Sequence, residues 1–347
     1  MDQRREDKHD ESQHSGVLPI AQSARIFQLL TTKLGLMADS EILKKSLSLN
    51  TQLNQIGAGL QGAVFEQVGK PLAMKKETPG NETLRSKLYH EYILHCNASA
   101  VFEQYRFISS EVRVPKPVQF ISREGNSAFW GEILPKTPQP HRMREDIVVM
   151  EQFLPLPKVV RKALISVIYA PEQNLDSTET EALLNHPTNE HYLAQIYLGK
   201  TNRSIDHRIP LRNFPPYLET MEQTGSETLP LASAMGKVYA ILHWGAAING
   251  EDVDTARFRC ISDFGQGEAV DLTHDPDVVY QAFKGAMVTG DNQHFISQVT
   301  RSPALFATFR QGYLEAGNII LSHKRLKNKF NMEDFMQEYV EYAEDFL

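Results

Sequence analysis

Cysteine is nearly absent: Cys96 and Cys260 are the only two among 347 residues. That excludes a disulfide framework and a four-cysteine zinc site. It suits a reducing compartment. Basic residues are also scarce, with 36 Lys and Arg against 43 Asp and Glu, giving a formal net charge of −7. Such a balance argues against a general binder of nucleic acid or of anionic membranes. No apolar run reaches the roughly 18 residues that a membrane-crossing helix needs. The opening MDQRREDKHDESQHSG has no apolar signal-peptide core. The expectation is a cytoplasmic chain, or a nuclear one, whose sequons at Asn81, Asn97 and Asn202 carry no sugar. What remains is ordinary: 41% hydrophobic and 23% charged residues, enough to build a sizeable core.

Along the chain, residues 1–16 read as a disordered tail, rich in charge and poor in apolar groups. Residues 17–50 read as an N-terminal helical extension, because Ile26, Leu29, Leu30 and Leu34 recur at near-helical spacing. From Thr51 the texture becomes short β-like runs: Thr51–Ile56, Ala63–Gln67 and Leu72–Lys76. A helix is predicted over Glu82–Phe102, with Leu84, Leu88, Glu91 and His95 on one face. Val114–Ser122 reads as a turn leading into a strand, 134–145 as a Pro-rich loop, and Asp146–Leu154 as a buried strand running into a connector. The remainder is mainly helical. Leu231, Met235, Val238 and Leu242 form one stripe, and Pro276–Met287, Pro303–Ser322 and Met332–Leu347 are further helices. The segment 155–230 is too long for a plain loop, so helices of its own are expected there.

One run carries chemistry directly: Ile56-Gly57-Ala58-Gly59-Leu60-Gln61-Gly62-Ala63-Val64. Phosphates need close approach by backbone N–H groups, and a Cβ obstructs that approach. Gly57, Gly59 and Gly62 fall between two strands, whereas the dinucleotide fingerprint opens a helix. Leu72-Ala73-Met74-Lys75 follows, placing Lys75 on a third strand beside the loop, with Lys76 pointing the other way. Sixteen positions on, Glu91 lies on the apolar face of the predicted helix. A carboxylate there needs a partner, and Lys75 is the natural one. Backbone groups near Glu151 and Phe153, at the end of the 146–154 strand, are placed to meet an adenine edge.

A second constellation lies near residue 250. Asp263-Phe264-Gly265 offers an aspartate for Mg2+. Ahead of it stands Leu242-His243-Trp244, then Asn249-Gly250-Glu251-Asp252. Asp252 is the candidate to orient or deprotonate an acceptor hydroxyl, with Glu251 and Asp254 as alternatives.

Taken in order, these motifs resemble the protein-kinase-like superfamily from about Thr51 to near the C-terminus: the G-x-G-x-x-G-x-V loop, the V-A-I-K-type lysine, the helical glutamate and the D-F-G. A closer resemblance is to a poorly characterised fungal family often labelled zinc-finger-like. It is carried by Tyr197-Leu198-Gly199-Lys200, Leu211-Arg212-Asn213-Phe214-Pro215, Met235-Gly236, Leu242-His243-Trp244 and Asp263-Phe264-Gly265-Gln266. The zinc label finds no support in two distant cysteines.

The resemblance implies an α+β, two-lobed fold. A small antiparallel sheet and one helix would form the N-lobe and hinge over 51–153. A helical C-lobe would follow over 154–347, with the insert at 155–230. It implies ATP and Mg2+ as ligands, and a small-molecule or protein acceptor. Arg212 and Asn213 either reach the cleft or form a structural turn.

Several departures put catalysis in question. The histidine expected before the aspartate is missing, and Arg257 stands where a second metal-binding asparagine is usual. Asp252 and Asp263 are only 11 positions apart, which calls for a trimmed hairpin, and no A-P-E follows. The readings are therefore a phosphotransferase or a nucleotide- or partner-binding module without catalysis.

Overall fold

The computed structural model describes residues 52–59, 61–67, 70–78, 87–153, 155–173, 176–193, 195–200, 217–223, 225–251, 253–257 and 260–347, with the backbone alone at 168–173, 188 and 254–257. The N-terminal tail and helical extension expected over 1–50 lie outside the described residues, as do Asp252, Arg212 and Asn213.

The chain is α+β. Strands β1 (Asn54–Ala58), β2 (Gly62–Glu66), β3 (Leu72–Glu77), β4 (Pro117–Ile121) and β5 (Ile147–Glu151) form one antiparallel sheet in the order β1-β2-β3-β5-β4. Register explains how the sheet sorts its side chains. Val64, Lys75 and Val148 are direct cross-strand neighbours, as are Phe65, Met74 and Val149. Successive residues on a strand face opposite ways. Phe65 and Met74 therefore enter a core with Leu53, Ile121, Trp130, Ile133 and Ile147, and Lys75 faces the other side. Trp130 and Ile133 come from helix α2 (Ser127–Ile133), which the sequence reading left out. Its signal is faint: seven residues capped by Asn126, whose side chain accepts from the Phe129 N–H at a backbone φ of 51°. The Pro-rich stretch that follows makes two 3-10 turns, Leu134–Lys136 and Gln139–His141.

Helix α1 (Lys87–Gln104) buries Leu88, Glu91, Leu94, His95, Ala98 and Phe102. Its lower half joins a second, much larger core made mostly of helices. These include α3 (Lys158–Gln173), α4 (Ser177–Leu184), α5 (Thr228–Ala240), α6 (Pro276–Val288), α7 (Pro303–His323) and α8 (Met332–Phe346), with shorter turns between them. The expected helices within 155–230 are present where that segment is described. A short hairpin of β6 (Asp254–Arg257) and β7 (Cys260–Ser262) leads to Asp263, so the trimmed hairpin is retained.

Helix α5 runs on into a π-helical turn, Ile241–Ala246. That turn carries two fully buried rings, His243 and Trp244. Their hydrogen bonds fix the tautomer. The carbonyl of Asn249 can only accept, so His243 Nε2–H donates to it at 3.1 Å. His243 Nδ1 then accepts from the Tyr313 hydroxyl at 2.8 Å, and that hydroxyl accepts from Trp244 Nε1–H at 2.8 Å. Every polar atom of the three rings is satisfied, which a dry core demands. His243 also stacks on Phe283 with centroids 4.3 Å apart. Burial pushes its pKa down to about 3, so it is a structural, neutral histidine.

The same logic holds for His95, which donates to the Pro115 carbonyl at 2.7 Å. Burial first, and the Lys75 charge after it, lower its pKa to about 4. Both groups stay neutral in the folded state below their ordinary value of 6.5, while the unfolded chain takes up protons. Stability therefore falls as pH drops below 6.5, by about 1.4 kcal/mol per unit per histidine. The loss stops growing only near 4 for His95 and near 3 for His243. Urea unfolding at pH 7 and pH 5 measures it. A wild-type midpoint unchanged between the two would contradict the neutral assignment.

Candidate functional site: a lysine between two carboxylates

Lys75 stands at the centre of β3, on the sheet face opposite the Trp130 core. Its ammonium lies 2.7 Å from both carboxylate oxygens of Glu91. It also lies 3.3 Å from Asp263 Oδ1 and 3.2 Å from Gln61 Oε1. Four separate pieces of chain thus converge on one nitrogen: the glycine loop, β3, α1 and the segment after β7. The residues expected to meet, Lys75, Glu91 and Asp263, do meet. Lys76 pairs in register with Ala63 and Ile147 and faces the other side, near Arg123, Glu77 and Glu145.

Burial alone would lower the Lys75 pKa. The charges of Glu91 and then Asp263 outweigh that, and the pKa is raised above the ordinary lysine value. Burial pushes Glu91 upward, while the Lys75 ammonium pulls it back. The pair is nearly dry, whereas the Asp263 side chain is 48% exposed. One carboxylate of the site is therefore structural, and the other faces solvent.

Asp263 sits at φ 65°, left-handed backbone that Asp and Asn tolerate better than most residues. The next residue, Phe264, is fully buried and stacks on His95 four residues beyond Glu91, with centroids 5.3 Å apart. The ring anchors the segment under α1 while the aspartate turns toward the Lys75 ammonium. His90 Nε2 meets the Gly267 carbonyl at 2.9 Å and ties the two again.

The three glycines of the loop divide into two kinds. A Cβ on Gly62 would lie 2.2 Å from the Lys76 carbonyl oxygen, so β2–β3 pairing alone requires that glycine. A Cβ on Gly59 would meet nothing within 4 Å, and one on Gly57 only the Val64 side chain at 3.7 Å. Packing gives no reason for those two to be glycine. They leave a surface with no Cβ in the way of an approaching phosphate, although the Gly59 N–H already donates to the Gly62 carbonyl at 2.9 Å.

Two backbone donors beside the expected adenine edge are already engaged. The Glu151 N–H donates to the Lys116 carbonyl at 2.9 Å, and the Gln152 N–H to the Pro71 carbonyl at 3.0 Å. The Glu151 carboxylate is engaged by Arg113 at 2.5 Å and by the Lys116 N–H at 3.2 Å. The strand ends at Glu151, inside the expected 146–154 range, and its pairing takes up the Glu151 N–H. Phe153 lies just beyond the strand and is half-buried.

Asp252 lies outside the described residues, but the loop before it is firmly held. Asn249 Oδ1 accepts from the N–H groups of Glu251 and Glu268, at 3.2 and 2.8 Å. Asn292 Nδ2 donates to the Gly250 carbonyl at 2.7 Å. Asn249, in the Asn249-Gly250-Glu251 run that stands where a histidine was expected, pins that loop to the segment that follows Asp263. The sequence reading did not assign it this role. Nor did it single out Gln61, which stands at an unspecified position of the glycine pattern.

Among the described residues no three His, Cys, Asp or Glu side chains gather as a metal-holding group. A Mg2+ that shares phosphate oxygens and keeps its waters asks for only one or two carboxylates, and Asp263 is half-exposed beside the ammonium. The residues thus fit an anion with its divalent cation. No protein-family model, curated protein or solved structure matches the chain. Among the described residues no helix is long and apolar enough to cross a membrane.

Proposed function

We propose that the chain is an ATP- and Mg2+-dependent phosphotransferase of two-lobed, protein-kinase-like build, acting on a small-molecule hydroxyl. The observation that carries this reading is the Lys75 ammonium gripped by Glu91 and facing Asp263 across 188 positions of sequence. The sheet order, the helix bearing Glu91 and the hairpin leading into Asp263-Phe264-Gly265 support it. Lys75, held by Glu91, orients the phosphates. Asp263 holds the cation. The absence of a Cβ at Gly57 and Gly59 leaves room for the phosphate oxygens, and Asp252 is the proposed group for the acceptor hydroxyl. When bound, Mg2+ supplies charge stabilisation on the phosphate oxygens. Everything else is positioning, which can account for a large share of such a rate.

A second reading is a nucleotide- or partner-binding module that does not turn over. Arg257, where a metal-binding asparagine is usual, favours it, as does the Asn249-Gly250-Glu251 run in the place of the loop histidine. Mg-ATP at about 100 times its Kd should stabilise the folded chain by about 2.7 kcal/mol. Asp263→Asn keeps the left-handed backbone and should remove the Mg2+-dependent part of that gain. Thermal or urea unfolding with and without Mg-ATP tests both. Slow ATP turnover lost in Asp263→Asn and Asp252→Asn selects the enzyme, and binding without turnover selects the module. No stabilisation at any Mg-ATP concentration sinks both.

A further inference from the structure

The Lys75 ammonium has three N–H groups and four acceptors within reach. Glu91 takes two of them at 2.7 Å. The third is left between Gln61 Oε1 at 3.2 Å and Asp263 Oδ1 at 3.3 Å. Gln61 comes from the glycine loop, and its amide lies across Gly265. A Cβ on Gly265 would fall 2.2 Å from Gln61 Oε1 and 2.4 Å from Nε2. The absent side chain at 265 is therefore the space that the amide fills. The loop backbone is held in the same posture: Thr78 N–H donates to the Gln61 carbonyl at 3.2 Å, and Gly59 N–H to the Gly62 carbonyl at 2.9 Å.

We propose that Gln61 is a resident competitor for the phosphate seat, a latch that holds the glycine loop down on Lys75 and Gly265 until a phosphate oxygen displaces it. This rests on the nucleotide reading of the site and deepens it by assigning how entry is controlled. The amide oxygen is neutral and distant, so a charged phosphate oxygen outcompetes it for the third N–H. If the latched state holds about nine molecules in ten, the apparent affinity for phosphate falls about tenfold.

The test measures Kd by calorimetry for Mg-ATP and, separately, for inorganic triphosphate with Mg2+, on the full chain and three variants. Gln61→Ala removes the competitor and should bind both ligands about tenfold more tightly. Gly265→Ala evicts the amide with a methyl group and should shift in the same direction. Gln61→Glu strengthens the latch with a charge and should bind about tenfold more weakly. If Gln61 instead donates to the bound phosphate, Gln61→Ala weakens binding, and the proposal is overturned. It is equally overturned if Gln61→Ala changes neither Kd. Should no variant bind Mg-ATP, the nucleotide reading fails separately. Triphosphate then decides the latch: a tenfold gain in Gln61→Ala upholds it, and no gain or no binding overturns it.

Discussion

Lys75→Met should abolish Mg-ATP binding and lower stability by about 3–5 kcal/mol at neutral pH, the cost of leaving one member of a buried pair uncompensated. Glu91 is 6% exposed and has its ammonium partner at 2.7 Å. Without that partner, burial acts on the carboxyl unopposed and holds its pKa well above the ordinary 4.5. The sign of the pH dependence follows. A carboxyl whose folded-state pKa is raised binds more protons folded than unfolded, so stability is fully present below about 4.5 and is lost as pH rises through the folded value. The deficit of Lys75→Met against the parent should therefore be small near pH 4.5 and largest near pH 8. Lys75→Met with Glu91→Leu replaces the pair by apolar groups. It should regain most of the stability while binding stays lost. Urea unfolding at the two pH values, read beside the Mg-ATP titration, separates the effects. A deficit independent of pH would mean that Glu91 is not the source of the cost.

Gly236→Ala should cost at least about 3 kcal/mol, at the upper end of what overpacking does, because the obstacle is backbone that cannot rotate away. Helices α5 and α7 cross at two glycines that face each other's main chain. A Cβ on Gly236 would lie 2.0 Å from the Phe309 carbonyl oxygen and 2.8 Å from the Tyr313 nitrogen. A Cβ on Gly312 would lie 2.3 Å from the Ser233 carbonyl oxygen. Making room means separating the helices, which opens the core around Met235, Tyr239, Phe309 and Tyr313. Gly312→Ala should be comparably severe. Gly285→Ala on α6 is the control. Its Cβ would meet only the Gln281 side chain at 3.9 Å. A helical Gly→Ala there should gain about 0.5–1 kcal/mol. Chemical denaturation of the three variants checks this. A mild loss in Gly236→Ala would mean that the crossing is looser than the backbone distances imply.

The parts legible in the sequence were those where one residue type answers one local demand. Strand alternation places Lys75 on its face, and helical spacing puts Glu91 and His95 on one side of α1. The glycines of the loop were legible as a set but not as individuals. Only neighbouring chain reveals that Gly62 serves the Lys76 carbonyl while Gly59 serves no packing need. Gly199 and Gly236 were noticed as parts of recurring strings, without a cause. The cause lies far along the chain, in the main chain of Ile296 and Phe309. Helix α2 escaped because seven residues give too little periodicity. The engaged N–H of Glu151 escaped because strand ends are set by the partner strand. Gln61 escaped because its contact with Gly265 joins two segments that no local pattern connects.

The central ammonium also fixes an order of events as the chain leaves the ribosome. Its tie to Glu91 spans 16 positions, and its tie to Asp263 spans 188. The short loop closes readily, and the long one must wait for a later stretch to be synthesised. The small sheet and its helix can hold their ion pair on a nascent chain. The ammonium gains its second carboxylate only when residue 263 has emerged and Phe264 has found its place beneath His95.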